Sequence, residues 1–197
     1  SLFLTHHHYD HTAELGFFVL GRWEWSLFGS MQKRELAPQL EIYGPPYTKH
    51  MVNLLFGKDG FYQDDIFSRI RDEGEKIYAA QGASVPIEPP VPVTRDILPN
   101  YILEKSGFRI TACETEHCQP WLMPLAYRID SKEGSVVISG DSGECNRVTE
   151  LARDADLLIH ECSQTEERRV RVGYQNLHSS PMTVGRAATE ANVKKLA

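Results

Sequence analysis

At 197 residues, with 41% hydrophobic and 24% charged side chains, the chain has the length of one domain and an ordinary globular composition. Its 27 acidic against 21 basic residues give a net charge of −6, which excludes a protein held on nucleic acid mainly by a strongly positive surface and leaves room only for a local basic patch. No run approaches the roughly 18 apolar residues that a membrane-crossing helix needs, and the four cysteines, Cys113, Cys118, Cys145 and Cys162, are too sparse for a disulfide scaffold and read as free thiols of a reducing, cytoplasmic compartment.

The chain opens on Ser1-Leu2-Phe3-Leu4-Thr5, an apolar strand already under way with no Met, leader or turn before it. It closes on residues 193–197, a helix exit entering another strand, so both ends predict a fragment. A polar loop over residues 6–11 precedes a helix whose apolar face runs through Phe17, Phe18 and Leu20. Residues 40–43 alternate as a strand that stops at Gly44-Pro45-Pro46. Helices follow over 47–56 and 64–80, the second with Ile66, Phe67, Ile70, Ile77 and Tyr78 at near-helical spacing. Pro86, Pro89, Pro90 and Pro92 make residues 82–92 a rigid extended connector that cannot be an interior strand. Strands are predicted at 101–103, 108–112, 125–129 and 136–138, the last two joined as a hairpin around Gly134. A helix over 145–155, a buried strand over 157–159 and a helix over 181–191 capped by Ser179 or Ser180 complete the pattern. Strands followed by helices, twice over, indicate a layered α/β domain.

Chemistry concentrates in Thr5-His6-His7-His8-Tyr9-Asp10-His11. If extended geometry persists past Thr5, His6 and His8 point the same way and His7 points away. Asp10 and His11, where the chain turns into a helix, can approach the same spot from another side. Imidazole and carboxylate together suit Zn²⁺ or Mn²⁺, and two such sets could hold two divalent ions. A histidine tag would not be interleaved with Tyr9 and Asp10 or follow an apolar strand.

This HxHxDH pattern resembles the metallo-β-lactamase superfamily of hydrolases, and the resemblance runs along almost the whole chain. His117, after the strand at 108–112, matches the family's third histidine. Asp141 in Ser139-Gly140-Asp141-Ser142 matches its bridging aspartate, and Gly140 would let backbone approach a metal closely. Leu157-Leu158-Ile159-His160-Glu161-Cys162 and Leu177-His178-Ser179-Ser180-Pro181 resemble the HEA and HST segments of the branch holding the tRNA 3′-processing ribonuclease Z with its phosphodiesterase and arylsulfatase relatives.

The resemblance implies an αββα sandwich incomplete at both ends, and a single domain over 1–197 with an insert at about 21–107. It implies that His6, His8, His117 and Asp141 hold one ion, and that Asp10, His11 and Asp141 hold a second with a final histidine beyond the chain's end. A hydroxide bridging the two ions would be the nucleophile, Asp10 would orient it or accept its proton, and His178 would stabilise the transition state or protonate the leaving oxygen. Other residues carry plainer alternatives. His160 serves equally as a core histidine bonded to a carboxylate, His50 as a structural or surface residue, and Trp23, Trp25 and Phe28 as core packing before any substrate wall. Arg168, Arg169 and Arg171 form a small basic cluster or a solvated loop.

Ribonuclease Z enzymes that clamp tRNA commonly carry a long arm between the third histidine and the aspartate, whereas positions 118–140 here give only 23 residues. That spacing and the net charge favour a small phosphodiester, sulfate or related ester as substrate over RNA. A lactamase, lactonase or thioester hydrolase, and a non-catalytic binding domain, are the further alternatives. No membrane partner is expected, and a homodimer stays open.

Overall fold

The computed structural model describes residues 1–27 and 39–197. They divide into two units: Ser1–Phe3, Tyr9–Tyr43 and Tyr47–Asp96 form the first, and Leu4–His8, Gly44–Pro46 and Ile97–Ala197 the second.

A three-stranded sheet of β1 (Leu2–Phe3), β2 (Glu41–Gly44) and β3 (Val93–Asp96), in that order, draws on the first unit. β1 runs parallel to β2 with Phe3 opposite Tyr43, and their rings stack at 4.7 Å between centroids. Strand β3 was not expected from the sequence, because Val93-Thr94-Arg95-Asp96 follows four prolines and has no apolar alternation; a half-exposed edge strand tolerates both.

The helices of this unit are α1 (Tyr9–Thr12), α2 (Leu15–Leu27), α3 (Thr48–Phe56), α4 (Gln63–Ile70) and α5 (Asp72–Ala80). Two of them correct the sequence reading. The buried stripe of α2 is Leu15, Gly16, Val19 and Trp23, not Phe17 and Phe18, which are 82% and 45% exposed. Gly16 sets that face, since a Cβ there would lie 2.2 Å from the Tyr62 hydroxyl oxygen. Likewise, the helix expected over 64–80 is two helices. Asp72 takes a left-handed φ of 49°, and a Cβ on Gly74 would lie 1.9 Å from the Ser68 carbonyl oxygen, so the chain kinks where only glycine fits.

Trp23 belongs to a core cluster with Ile66, Tyr78, Ala83 and Ile87, and its indole N–H donates to the Glu88 carbonyl at 2.8 Å. Trp25 is exposed, as is His50 on α3; Phe28 lies outside the described residues.

The second unit carries a five-stranded sheet in the order β4 (Ile102–Lys105), β5 (Phe108–Glu114), β6 (Leu125–Ser131), β7 (Gly134–Ile138) and β8 (Leu157–Ile159). Pairing is antiparallel as far as β7 and parallel between β7 and β8. The β6–β7 hairpin closes with Ser131 opposite Gly134, whose φ of 145° suits glycine. Helices α6 (Asn146–Leu151), α7 (Glu166–Arg171) and α8 (Pro181–Glu190) complete the unit. A core of Val137, Ala152, Ala155, Leu158, Ala188 and Ala191 lies between β7, β8 and the helices, its alanines allowing close approach. Ser180 is the cap of α8, in a capping box with Thr183.

Residues 168–171 are helical, so the solvated loop, one of the two readings of the arginine cluster, does not hold. Thr165 caps α7, and Arg169 is 6% exposed and paired with Glu166 at 2.8 Å. Other arginines of this unit are likewise matched with carboxylates: Arg128 with Asp130 (2.9 Å), Arg147 with Glu116 (2.7 Å) and Arg186 with Glu144 (2.6 Å).

The bend after β7 brings it against the segment that leads into His6. Gly140 has φ 60°, and a Cβ there would meet Thr5 Cβ at 2.9 Å and the Leu125 carbonyl oxygen at 3.2 Å. Gly140→Ala adds left-handed strain of about 1–2 kcal/mol to that overlap, so a destabilisation of about 2–3 kcal/mol is expected. A urea midpoint equal to the parent's would show that the bend is not constrained.

Among the described residues no helix is long and apolar enough to cross a membrane.

Candidate metal centre

The approach to the first histidines is anchored on β6. Leu125 N–H donates to the Thr5 carbonyl at 2.9 Å, and the Tyr127 hydroxyl donates to the Leu4 carbonyl at 2.6 Å. Regular pairing ends at Phe3, yet His6 and His8 still converge, through different ring atoms: His6 Nε2 lies 3.0 Å from His8 Nδ1.

His117, at the end of the turn after β5, brings its Nε2 to 3.1 Å from His8 Nδ1. Asp141 Oδ2 lies 3.7 Å from His117 Nε2 and 4.0 Å from His6 Nε2. The four donor atoms lie within 4.8 Å of one another, and His6 and His117 are almost fully buried.

The donor set fits a metal ion. Bonds of 2.0–2.1 Å to a tetrahedral Zn²⁺ would separate two nitrogens by about 3.3 Å, close to the spacing here. His117 Nδ1 donates to the Leu177 carbonyl at 2.7 Å, which leaves the lone pair on Nε2, facing the cluster. Burial pushes the His117 imidazolium below its usual pKa, against the opposing pull of the Leu177 carbonyl and the Asp141 carboxylate, so the neutral, ligating form is favoured. His7 is outside the group. Asp10 and His11 sit on α1 in the first unit, their carboxylate and imidazole 3.7 Å apart.

The loops carrying His117, Asp141 and His178 are cross-tied. Buried Thr115 donates its hydroxyl to the Asp141 carbonyl at 2.9 Å, Gly143 N–H donates to the Glu116 carbonyl at 2.8 Å, and Ser179 Oγ donates to the Ser142 carbonyl at 2.8 Å. Thr115→Val keeps the shape and removes the tie to Asp141. Outer hydrogen bonds of this kind change metal affinity by about 10- to 100-fold, so a drop of about tenfold is expected in competition with a chelator. Parental affinity would mean that the tie does not position Asp141.

Beside this cluster, His178 Nδ1 lies 3.1 Å from Glu161 Oε1, and the His178 ring is 5.1 Å from that of His117 between centroids. Glu161 also accepts from the backbone N–H groups of Ser179 (3.0 Å), Ser163 (2.9 Å) and Ser142 (3.4 Å). It was not singled out from the sequence. Its one local signal is the carboxylate inside His160-Glu161-Cys162. His160 is buried and donates from Nδ1 to the Glu161 carbonyl at 2.8 Å; burial holds its imidazolium below the usual range, as for a core histidine. Tyr174 packs edge-on against His178 at 6.0 Å.

A family profile described as the beta-lactamase superfamily domain matches residues 1–197, and the chain belongs to that family. Among curated relatives, the ribonuclease Z of Mycobacterium bovis (strain BCG / Pasteur 1173P2) is 29% identical over 202 residues, spanning 100% of this chain and 65% of the relative. That of Mycolicibacterium gilvum is 28% identical over 199 residues, spanning 98% and 62%. The chain thus covers just under two thirds of the length of these relatives. In solved structures it is similar to the metallo-beta-lactamase fold protein YhfI from Bacillus subtilis (TM-score 0.62, 21% identity, 98% of this chain and 61% of that one). It is also similar to human tRNase Z, short form (TM-score 0.58, 18% identity, 98% and 69%). The mixed α/β architecture with two sheets is therefore the metallo-β-lactamase fold expected from the sequence.

Proposed function

We propose that the chain is the catalytic part of a metal-dependent phosphodiesterase of the ribonuclease Z type, cutting RNA at the 3′ side of tRNA. The observation that carries this reading is the placement, in one unit, of the His6, His8, His117 and Asp141 donors beside the Glu161–His178 pair. The names of the relatives support RNA over a small ester as substrate. The small phosphodiester remains the second reading, favoured by the net charge of −6.

His6, His8, His117 and Asp141 would hold one divalent ion, zinc or manganese. Bound ions supply Lewis acidity at the phosphoryl oxygens and lower the pKa of the attacking water. Glu161 accepts from His178 Nδ1 and fixes the ring; as an imidazolium, His178 would have Nε2–H free to donate to the departing or an equatorial oxygen.

The test is metal analysis of the folded protein, followed by a panel of pre-tRNA, aryl phosphodiester, aryl sulfate, lactone and β-lactam substrates. At least one ion per chain, held by His6, His8, His117 and Asp141, and release of the pre-tRNA trailer are expected. Folded protein that takes up no metal would reduce the chain to a binding domain, and turnover confined to the β-lactam would remove the ribonuclease assignment.

A further inference from the structure

The turn that delivers His117 also carries Trp121, at 89% the most exposed of the large hydrophobic side chains among the described residues. An indole left in water forgoes about 2 kcal/mol or more of burial, and a flexible loop would let it fold back onto the surface. This loop is held instead. Its base is closed by Thr115 N–H donating to the Pro124 carbonyl at 3.0 Å. Gln119 spans its interior, accepting from His117 N–H at 2.8 Å and donating to the Thr115 carbonyl at 2.5 Å. Cys118 sits in the left-handed region at φ 57°, and its carbonyl accepts from the N–H groups of both Trp121 (3.1 Å) and Leu122 (3.3 Å).

That turn limits how far the Trp121 backbone stands from that of His117. A hydrogen-bonded turn keeps its first and fourth Cα atoms within about 7 Å, and one peptide adds about 3.8 Å, so the Trp121 Cα lies within about 11 Å of the His117 Cα. One nucleotide and its neighbour cover that span. The chain is also acidic, with a net charge of −6, so general attraction for phosphate contributes little to holding RNA. A rigid, exposed aromatic face supplies affinity that needs neither positive charge nor a particular base.

We propose that Trp121 is a stacking platform for a nucleobase next to the scissile phosphate, and so a substrate-binding residue of this centre. The proposal rests on the ribonuclease reading given above, which it deepens. Because the loop is already ordered, little conformational entropy is lost when a base stacks.

The experiment uses zinc-loaded protein and a short single-stranded oligoribonucleotide, with affinity read by fluorescence anisotropy of the labelled RNA. Trp121→Ala is expected to weaken binding about tenfold and Trp121→Phe to recover most of it. The difference between the parent and Trp121→Ala should vanish on an abasic ribose-phosphate oligomer. With pre-tRNA, the loss should fall mainly on KM. Metal content of both variants controls for damage to His117. Equal affinity of Trp121→Ala and the parent, an equal loss on the abasic oligomer, or no RNA binding by the parent would overturn the platform. RNA bound in a Trp121-dependent way but never cut would remove the ribonuclease reading and leave the platform standing. Pre-tRNA cut equally well by parent and Trp121→Ala at subsaturating RNA would do the reverse.

Discussion

His178→Ala is expected to reduce kcat by about 10² to 10³, the usual scale for one transition-state donor or general acid, while folding and metal content stay close to the parent's. The backbone around His178 does not depend on the imidazole. Ser180 caps α8 by itself, and Ser179 N–H is held by Glu161. His117→Ala should lose activity for a different reason. It removes one of three mutually close imidazole nitrogens and opens a gap in a buried donor set. Activity assays run beside metal analysis separate the two: a silent His178→Ala, or a loss that follows missing metal, would make His178 a structural residue.

A larger combined effect is expected at Glu161. Its carboxylate is 13% exposed and receives the His178 ring together with the N–H groups of Ser163 and Ser179. Glu161→Ala leaves those donors without their acceptor, at about 1–3 kcal/mol for a buried group left unsatisfied, and a total loss of about 3 kcal/mol is expected. The same change frees the His178 ring, so kcat should also fall by about 10². Glu161→Gln keeps a carbonyl oxygen in place and should recover most of the stability but less of the activity. Equal recovery of both would mean that the charge beside His178 is unimportant, as read from urea unfolding and kcat on the same preparations.

Much of this was legible in the sequence because it depends on order along the chain. Strands leading to His117 and Asp141, an HxH pair after an apolar strand and a Ser-Pro helix start are local signals; β5 and β7 end at Glu114 and Ile138, just before those residues, and Ser180 caps α8. What stayed hidden depends on partners far away in sequence. Phe17 and Phe18 look as apolar as Val19, and the stripe of α2 that turns inward is marked by distant partners, the Tyr62 ring against Gly16 and the cluster around Trp23. The kink before α5 hid behind a helical run of apolar residues, because Gly74 acts through contact with the Ser68 carbonyl. Glu161 could be seen as a residue, but its four partners come from three separate segments.

The matched arginines carry a consequence for how RNA would be held. A guanidinium already facing a carboxylate, as Arg147 faces Glu116 and Arg169 faces Glu166, must give up that partner before it neutralises a phosphate. Few condensed counterions are then displaced when a strand docks. Each neutralised phosphate on a single strand contributes about −0.7 to the slope of log association constant against log salt. A strand gripped at only one or two phosphates would show a slope shallower than about −2. If RNA is the substrate, as proposed, its binding should therefore persist at ionic strengths that strip RNA from basic proteins.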